Sequence, residues 1–326
     1  MKEKLKKIPF LVILNKKIKF KKEYKKDYKF FLENYSYSNP TKSKIEYNMI
    51  LEVHKLEKGM ACINPRPFGV NKVKELMRLI IEYEKISNEK SYSYNLANSA
   101  LLNYTKFYEE HGWKNTDEYK IISRFISKKR DFDYIEVGSF DLKKKDIIKD
   151  ASIDYDKFLS SRRSIRNFSS TKLKKEDIEK AVKMAIKTPT ACNRQMCKIY
   201  YINNDEKKDV VTKYAQGVGL FDLTNVNYFI ITFDISANYF IGERNQGWFN
   251  SGLFSMNFAN ALHSLGIGSC FIQFGNSFEE EEKLKKILNI PESERIAVIL
   301  TAGYYDEISK IPCSTRKDLK EIFKIR

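Results

Sequence analysis

Two short clusters carry the residue types with the clearest chemical use. The run Ser161-Arg162-Arg163-Ser164-Ile165-Arg166-Asn167-Phe168 puts three guanidinium groups and two hydroxyls within its first six residues. That density suits a phosphate and a nearby delocalised anion, because Arg offers a planar fork matching phosphate oxygens and Ser adds a neutral hydrogen bond. The run is expected to stand just before a helix. The second cluster is Thr188-Pro189-Thr190-Ala191-Cys192-Asn193-Arg194-Gln195-Met196. Its small side chains let a flat ring approach the backbone, and the amides of Asn193 and Gln195 can read heterocycle edges.

Other candidate groups lead to less. His54 and Glu57 lie one helical turn apart, but no second ligand pair of compatible spacing accompanies them, so a solvated helix face is expected and no metal. Cys192 and Cys197 are too widely spaced for the usual zinc pair, and Cys192 reads as a small loop thiol. Gly217-x-Gly219 and Gly266-x-Gly268 lack the third glycine of a dinucleotide fingerprint. Five cysteines with no framework spacing suggest free thiols in a reducing, cytoplasmic setting.

The elements that must position the two clusters follow from hydrophobic period. Residues 1–150 read as helical, with Val73, Leu76, Met77, Ile80 and Ile81 on one helix face. A helix end at His54–Gly59 leads into the proline-stiffened loop Asn64-Pro65-Arg66-Pro67-Phe68-Gly69. The charged run Asp141–Asp146 is the expected linker. Beyond it helices and strands alternate, a layered α/β arrangement. Ile178, Val182, Ala185 and Ile186 form a helical stripe, and Ile199–Ile202, Tyr228–Phe233, Phe271–Phe274 and Ile296–Leu300 read as strands. Leu253–Leu265 reads as a buried helix ending at Gly266 in a left-handed cap.

The 326 residues are 42% hydrophobic and have a net charge of +17. That size is enough for two cores. Residues 1–50 hold 14 Lys against 5 acidic residues. Without a zinc-finger or aromatic-basic motif this surplus reads as compositional bias, arguing against a nucleic acid or membrane surface as partner. The apolar stretch Ile8–Leu14 is too short to span a bilayer and has no small-residue cleavage site.

The order and spacing of the clusters, with the Arg run about 25 residues ahead of the loop, resemble the FMN-dependent nitroreductase family. There an Arg-x-Ser-x-Arg/Lys run opens the domain and a Pro-Ser-Ser-x-Asn-x-Gln-Pro loop follows the first long helix. The match continues through Gly252–Leu265, a turn Gly266-Ile267-Gly268-Ser269-Cys270, Ile290-Pro291, Gly303-Tyr304 and Arg316, about 175 residues in all. It departs at Met196, Asn250 and Ser314.

The resemblance implies an α+β, nitroreductase-like FMN-binding domain over residues 151–326, its central, mostly antiparallel sheet flanked by helices. A mostly helical domain of open role, residues 1–150, precedes it. It further implies that Arg162, Ser164 and Arg316 hold the FMN phosphate, with Arg163 assisting and Arg166 near the pyrimidine end of the ring. Pro189, Thr190, Ala191, Asn193 and Gln195 would meet the flavin from the other subunit of a homodimer, and Gln273 would pass its far face. The implied reaction is ping-pong hydride transfer from NAD(P)H through flavin N5 to a small-molecule acceptor, with no catalytic side chain named. Relatives that dehydrogenate, dehalogenate or dismantle the flavin offer other chemistry, and a noncatalytic protein using its basic N-terminal segment is the remaining class.

Overall fold

The computed structural model describes residues 9–35, 40–62, 65–128, 130–140, 153–219, 223–309, 311, 316 and 318–326. The expected linker at 141–146 and Ser314 lie outside them.

The first half is helical: α1 (Pro9–Asn34), α2 (Lys42–Met60), α3 (Val70–Ile86), α4 (Tyr92–Glu110) and α5 (Asp117–Ile126). Hydroxyl N-caps start three of these helices: Thr41, Ser91 and Thr116 each accept from a backbone N–H in the first turn, satisfying a donor that the helix leaves unpaired. Helices α2 to α5 share a core of Met49, Leu56, Val73, Leu76, Ile80, Ala97, Ala100, Tyr104, Tyr108 and Ile122. The expected α3 face holds at Val73, Leu76 and Ile80, but Ile81 is 42% exposed. At 100° per residue Ile81 lies beyond the edge of that stripe. The loop before α3 is fastened by Tyr108, whose hydroxyl accepts from the Phe68 N–H at 2.7 Å and donates to its carbonyl at 2.8 Å. His54 and Glu57 face each other at 3.7 Å on α2, both half-buried rather than on a fully solvated face.

The second half runs α6 (Tyr155–Ser161), α7 (Lys175–Ala185), β1 (Cys197–Ile202), α8 (Asp205–Tyr214), β2 (Asn227–Asp234), α9 (Gln246–Ser264), β3 (Ile267–Ile272), α10 (Phe278–Leu288), β4 (Glu294–Tyr304) and α11 (Leu319–Ile322). The strands form one sheet in the order β1-β2-β4-β3, every pair antiparallel. Strand alternation sends Tyr228 and Ile230 to one face, against Val211 of α8 and Leu284 and Leu288 of α10. Phe229 and Ile231 go to the other face, against Ile178 and Ala181 of α7 and Phe254, Phe258 and Leu262 of α9. A register shift between Ile231 and Thr232, which pair with Val298 and Ile296, leaves Ala297 as the extra residue of a bulge in β4.

In this half the strands and helices differ in detail from the sequence reading, and Leu253 and Met256, read as part of a buried helix, are 41% and 36% exposed. Gly266–Cys270 is not a turn: only Gly266, at φ 73°, turns the chain, and β3 begins at Ile267 and stops before Phe274. The two glycines suggested a turn, but Gly268 is a close-packing position instead, since a Cβ there would lie 2.9 Å from Ile165. Ile186 is 53% exposed, because α7 ends at Ala185 and the last residue of the stripe has no helix to hold it inward.

The helical half also enters the core of the second half. Phe30 and Phe31 of α1 pack with Met196, Phe233 and Ile235. Asp27 pairs with Arg295 at 2.7 Å, and Glu23 accepts from the Phe278 N–H at 2.9 Å, completing the N-terminus of α10. Helix α2 lies against the 3-10 turns at residues 191–193 and 235–237. No described helix is long and apolar enough to cross a membrane.

Candidate functional site

The Arg run follows a helix rather than preceding one. Helix α6 ends at Ser161, and the chain then extends along the open edge of β3, where Ser164 bridges Ser269 and the Ile165 N–H donates to the Ser269 carbonyl at 3.0 Å. The next helix starts only at Lys175. Ile165 and Phe168 are buried as anchors, while Arg162, Ser164 and Arg166 are half-buried and Arg163 is exposed; the anchors are three residues apart, so strict strand alternation does not govern the run. The anchors fit because glycines face them. A Cβ on Gly303 would lie 2.6 Å from the Phe168 Cβ, so Gly303→Val should push the run off the sheet, an overpacking cost of about 1–3 kcal/mol. Calorimetric melting of that variant checks it.

Several observations put the run's polar groups over Cys270 of β3. Burial pushes the Cys270 thiol up, while Arg166, a hydrogen bond with Ser164, and Arg162 act in the opposite direction. Arg166 Nη1 also donates to the Ser164 carbonyl at 3.2 Å. The described ion pairs of arginines in the second half are Arg194 with Glu243 and Arg295 with Asp27 and Glu281, so neither Arg162 nor Arg163 has a described carboxylate partner. Gln273 directly follows β3, exposed, with its carbonyl accepting from the Gln216 N–H at 3.3 Å. Arg316 is exposed, and residues 312–315 and 317 around it lie outside the described residues, so its assignment rests on the resemblance alone.

The 188–196 loop is built in an unusual backbone conformation. Thr188 closes α7 by donating to the Ala185 carbonyl at 2.7 Å and is held by the Asn257 amide at 2.9 Å. Cys192, Asn193 and Gln195 all have positive φ, between 51° and 53°. Each such non-glycine residue costs about 1–2 kcal/mol, so something must hold them. Part of the hold is Thr190, whose hydroxyl accepts from the Gln195 N–H at 2.9 Å. The larger part is Arg194, fully buried, which forks onto Glu243 at 2.6 and 2.7 Å and donates to the carbonyls of Ala191 at 2.9 Å and Ala237. With its neighbour fixed inward, Asn193 and Gln195 are presented outward, both exposed, beside exposed Pro189 and half-buried Thr190 and Ala191.

Arg194 was passed over in the sequence because nothing local marks it as buried, and its partner is 49 residues away. His263 was also missed. It sits near the end of α9 with Nε2 2.8 Å from Ser161 Oγ and Nδ1 2.7 Å from the Tyr305 hydroxyl, next to Arg162. A lone His in a helix carries no spacing signal.

The two clusters do not meet within one chain. The loop joins β1 at Cys197, which pairs with Phe233 and through it with Arg295, whereas the Arg run lies at Ser269, which pairs with Ala302. They therefore occupy opposite edges of a four-strand sheet, about 14 Å apart across the strands, and opposite ends, about 23 Å apart along β4.

The thiols divide by burial. Cys62 is exposed, whereas burial pushes Cys197 up to about 11 and raises Cys270. At pH 8 an alkylating reagent should therefore label Cys62 first and leave Cys197 and Cys270 unmodified in the native protein, as read by mass spectrometry. Early labelling of Cys197 would contradict its placement. Among the described residues no cluster of three or more His, Cys, Asp or Glu could hold a metal ion.

Comparison with known proteins gives matches over the same part of the chain. No curated protein matches. Among solved structures, a Bacillus subtilis protein described as a nitroreductase is 18% identical, covering 53% of this chain and 99% of that one, with a TM-score of 0.47. An FMN-dependent nitroreductase from Clostridium difficile is 24% identical over 52% of this chain and 98% of its own, with a TM-score of 0.44. A Desulfovibrio desulfuricans protein described as a nitroreductase in complex with FMN is 18% identical over 54% and 98%, with a TM-score of 0.47. The nitroreductase family model matches residues 159–219 and 230–304. This span takes in the Arg run, the 188–196 loop, β1, β3, β4 and β2 from Ile230 onward, so residues 159–304, within the C-terminal half, carry a nitroreductase-family domain.

Proposed function

We propose that the protein is an FMN-dependent oxidoreductase, working as a homodimer that oxidises NAD(P)H and passes the electrons to a small-molecule acceptor. The observation that carries this reading is the separation of the two clusters. A phosphate-binding run and a ring-reading loop at opposite corners of one sheet can serve one flavin only if two protomers each give one of them.

The residues fit the cofactor. Arg162, Ser164 and Arg316 would hold the phosphate, assisted by Arg163, and Arg166 would lie toward the pyrimidine end of the ring. Pro189, Thr190, Ala191, Asn193 and Gln195 would come from the second protomer, and Gln273 would line the far face. When bound, FMN supplies an N5 that takes hydride from a reduced nicotinamide and returns it to the acceptor. The chain's own part is to hold and orient: two guanidinium groups without described carboxylate partners offer an anion site already charged, and a fixed cation at Arg166 stabilises negative charge that develops nearby.

The nitroreductase-family match over residues 159–219 and 230–304 supports this reading. Denatured protein should release one FMN per protomer and no FAD, and anaerobic NADH or NADPH should bleach the bound flavin. A purified protein that takes up no FMN at high concentration would overturn the proposal.

The homodimer draws support from α9. Its inward face holds Phe254, Phe258 and Leu262, while Phe249, Leu253 and Met256, spaced by four and three residues, form a second apolar stripe 36–63% exposed. Contiguous exposed apolar surface of this kind marks an interaction site. Phe249→Glu with Leu253→Glu changes only exposed positions, so the variant should fold, sediment as a monomer and lose FMN through mass action. A flavin-saturated monomer would instead show that one chain completes the site.

A further inference from the structure

A polar chain sits beside the Arg run that neither cluster uses. Ser161, the last residue of α6, and Tyr305, the residue after β4, flank the two nitrogens of His263 on α9, at 2.8 and 2.7 Å. The Phe158 ring covers the imidazole at 4.9 Å. Both flanking groups are hydroxyls, so each can donate to a neutral imidazole or accept from a protonated one, and the ring can change charge without losing a partner. Arg162 follows Ser161 directly and its charge acts on both His263 and Tyr305.

We propose that Ser161, His263 and Tyr305 extend the phosphate subsite, so that docking of the flavin phosphate beside Arg162 draws a proton from solvent onto His263 and adds a positive charge facing the phosphate. This rests on the FMN reading above and deepens it, by giving the chain a means to prefer phosphorylated FMN over riboflavin.

The electrostatics without ligand run the right way. Burial and the Arg162 guanidinium hold His263 below its ordinary value, against a weaker opposite pull from the Phe158 carbonyl. No described carboxylate pairs with His263, and burial keeps the Tyr305 phenol protonated, so the groups facing the imidazole are one cation, two hydroxyls and a carbonyl. Near neutral pH the imidazole is therefore uncharged. A phosphate dianion at Arg162 reverses the local potential and favours the charged ring. Binding then takes up a proton, and affinity rises as pH falls between the bound and free values of His263, by tenfold for each unit separating them. Protonation of the phosphate itself weakens binding over the same range, so the signal lies in the difference between wild type and a variant that cannot titrate.

The experiment is isothermal titration of FMN and of riboflavin into the purified protein at pH 6, 7 and 8. Two buffers of different ionisation heat count the protons taken up. Wild type should take up more protons with FMN than His263→Gln does, and its affinity advantage over that variant should grow several-fold from pH 8 to pH 6. Riboflavin should show neither effect. Ser161→Ala, at an exposed position, should fold and lose part of the uptake, which guards against a misfolded His263 variant. Equal uptake and parallel pH profiles in wild type and His263→Gln overturn the inference while leaving the FMN reading intact. Failure of wild type to bind FMN at all overturns both.

Discussion

Arg194→Ala should destabilise the protein by about 3–5 kcal/mol, the usual consequence of removing one member of a buried ion pair and leaving the other charge uncompensated. The side chains of Arg194 and Glu243 are 1% and 13% exposed. The loss exceeds that of a surface pair because the same guanidinium also satisfies the carbonyls of Ala191 and Ala237. It should also spread to both halves of the chain. Glu243 accepts from the Tyr239 N–H at 2.7 Å, the Lys55 ammonium of α2 lies 5.8 Å from the Tyr239 ring, and α2 backs the 191–193 turn. Thermal melting of Arg194→Ala should thus show a fall of several degrees or more. Glu243→Gln, which keeps the shape and can still accept, should lose less. In the double variant Arg194→Met with Glu243→Gln no charge remains buried, and part of the stability should return. A melting temperature unchanged in Arg194→Ala would mean that the positive-φ loop needs no such hold.

The second large effect is a division between two arginines four residues apart. Arg162→Ala should weaken FMN binding by about 1.5–3 kcal/mol, roughly ten- to hundredfold, the worth of a charge-assisted hydrogen bond. Arg166→Ala should leave more of the affinity but make bound flavin harder to reduce, because negative charge arising on the ring loses a neighbouring cation. Neither substitution touches the buried anchors Ile165 and Phe168, so both variants should stay folded, with melting temperatures close to that of the wild type. Dissociation constants and midpoint potentials separate the roles. Equal affinity losses with an unchanged potential in Arg166→Ala would assign both arginines to the phosphate.

The sequence by itself determined the elements and their chemistry. The stripe at Ile178, Val182 and Ala185, though not its last residue Ile186, the β-rich runs at Ile199–Ile202 and Tyr228–Phe233, and the left-handed Gly266 are local matters of period and backbone freedom, and they stand where their residues predict. The density of Arg and Ser at 161–166 was equally plain, as was the small, amide-bearing loop at 188–196. What only the tertiary structure decided is where these pieces go. That the chain after α6 runs along the edge of β3, bridging it at Ser164, depends on Gly268 and Gly303 leaving room for Ile165 and Phe168, contacts more than 100 residues apart in the chain. Nothing in the local sequence marked Arg194 as a buried fork rather than a surface charge, because its burial is created by Glu243 and the 235–237 turn folding over it. The helical half illustrates the same limit. Its periodicity announced helices, but the docking of Phe30 and Phe31 against Met196 and Phe233, and of Asp27 onto Arg295, joins surfaces about 165 or more residues apart. Local patterns encode which face of an element is apolar, whereas the partner that covers it is chosen by the free energy of the whole packed chain.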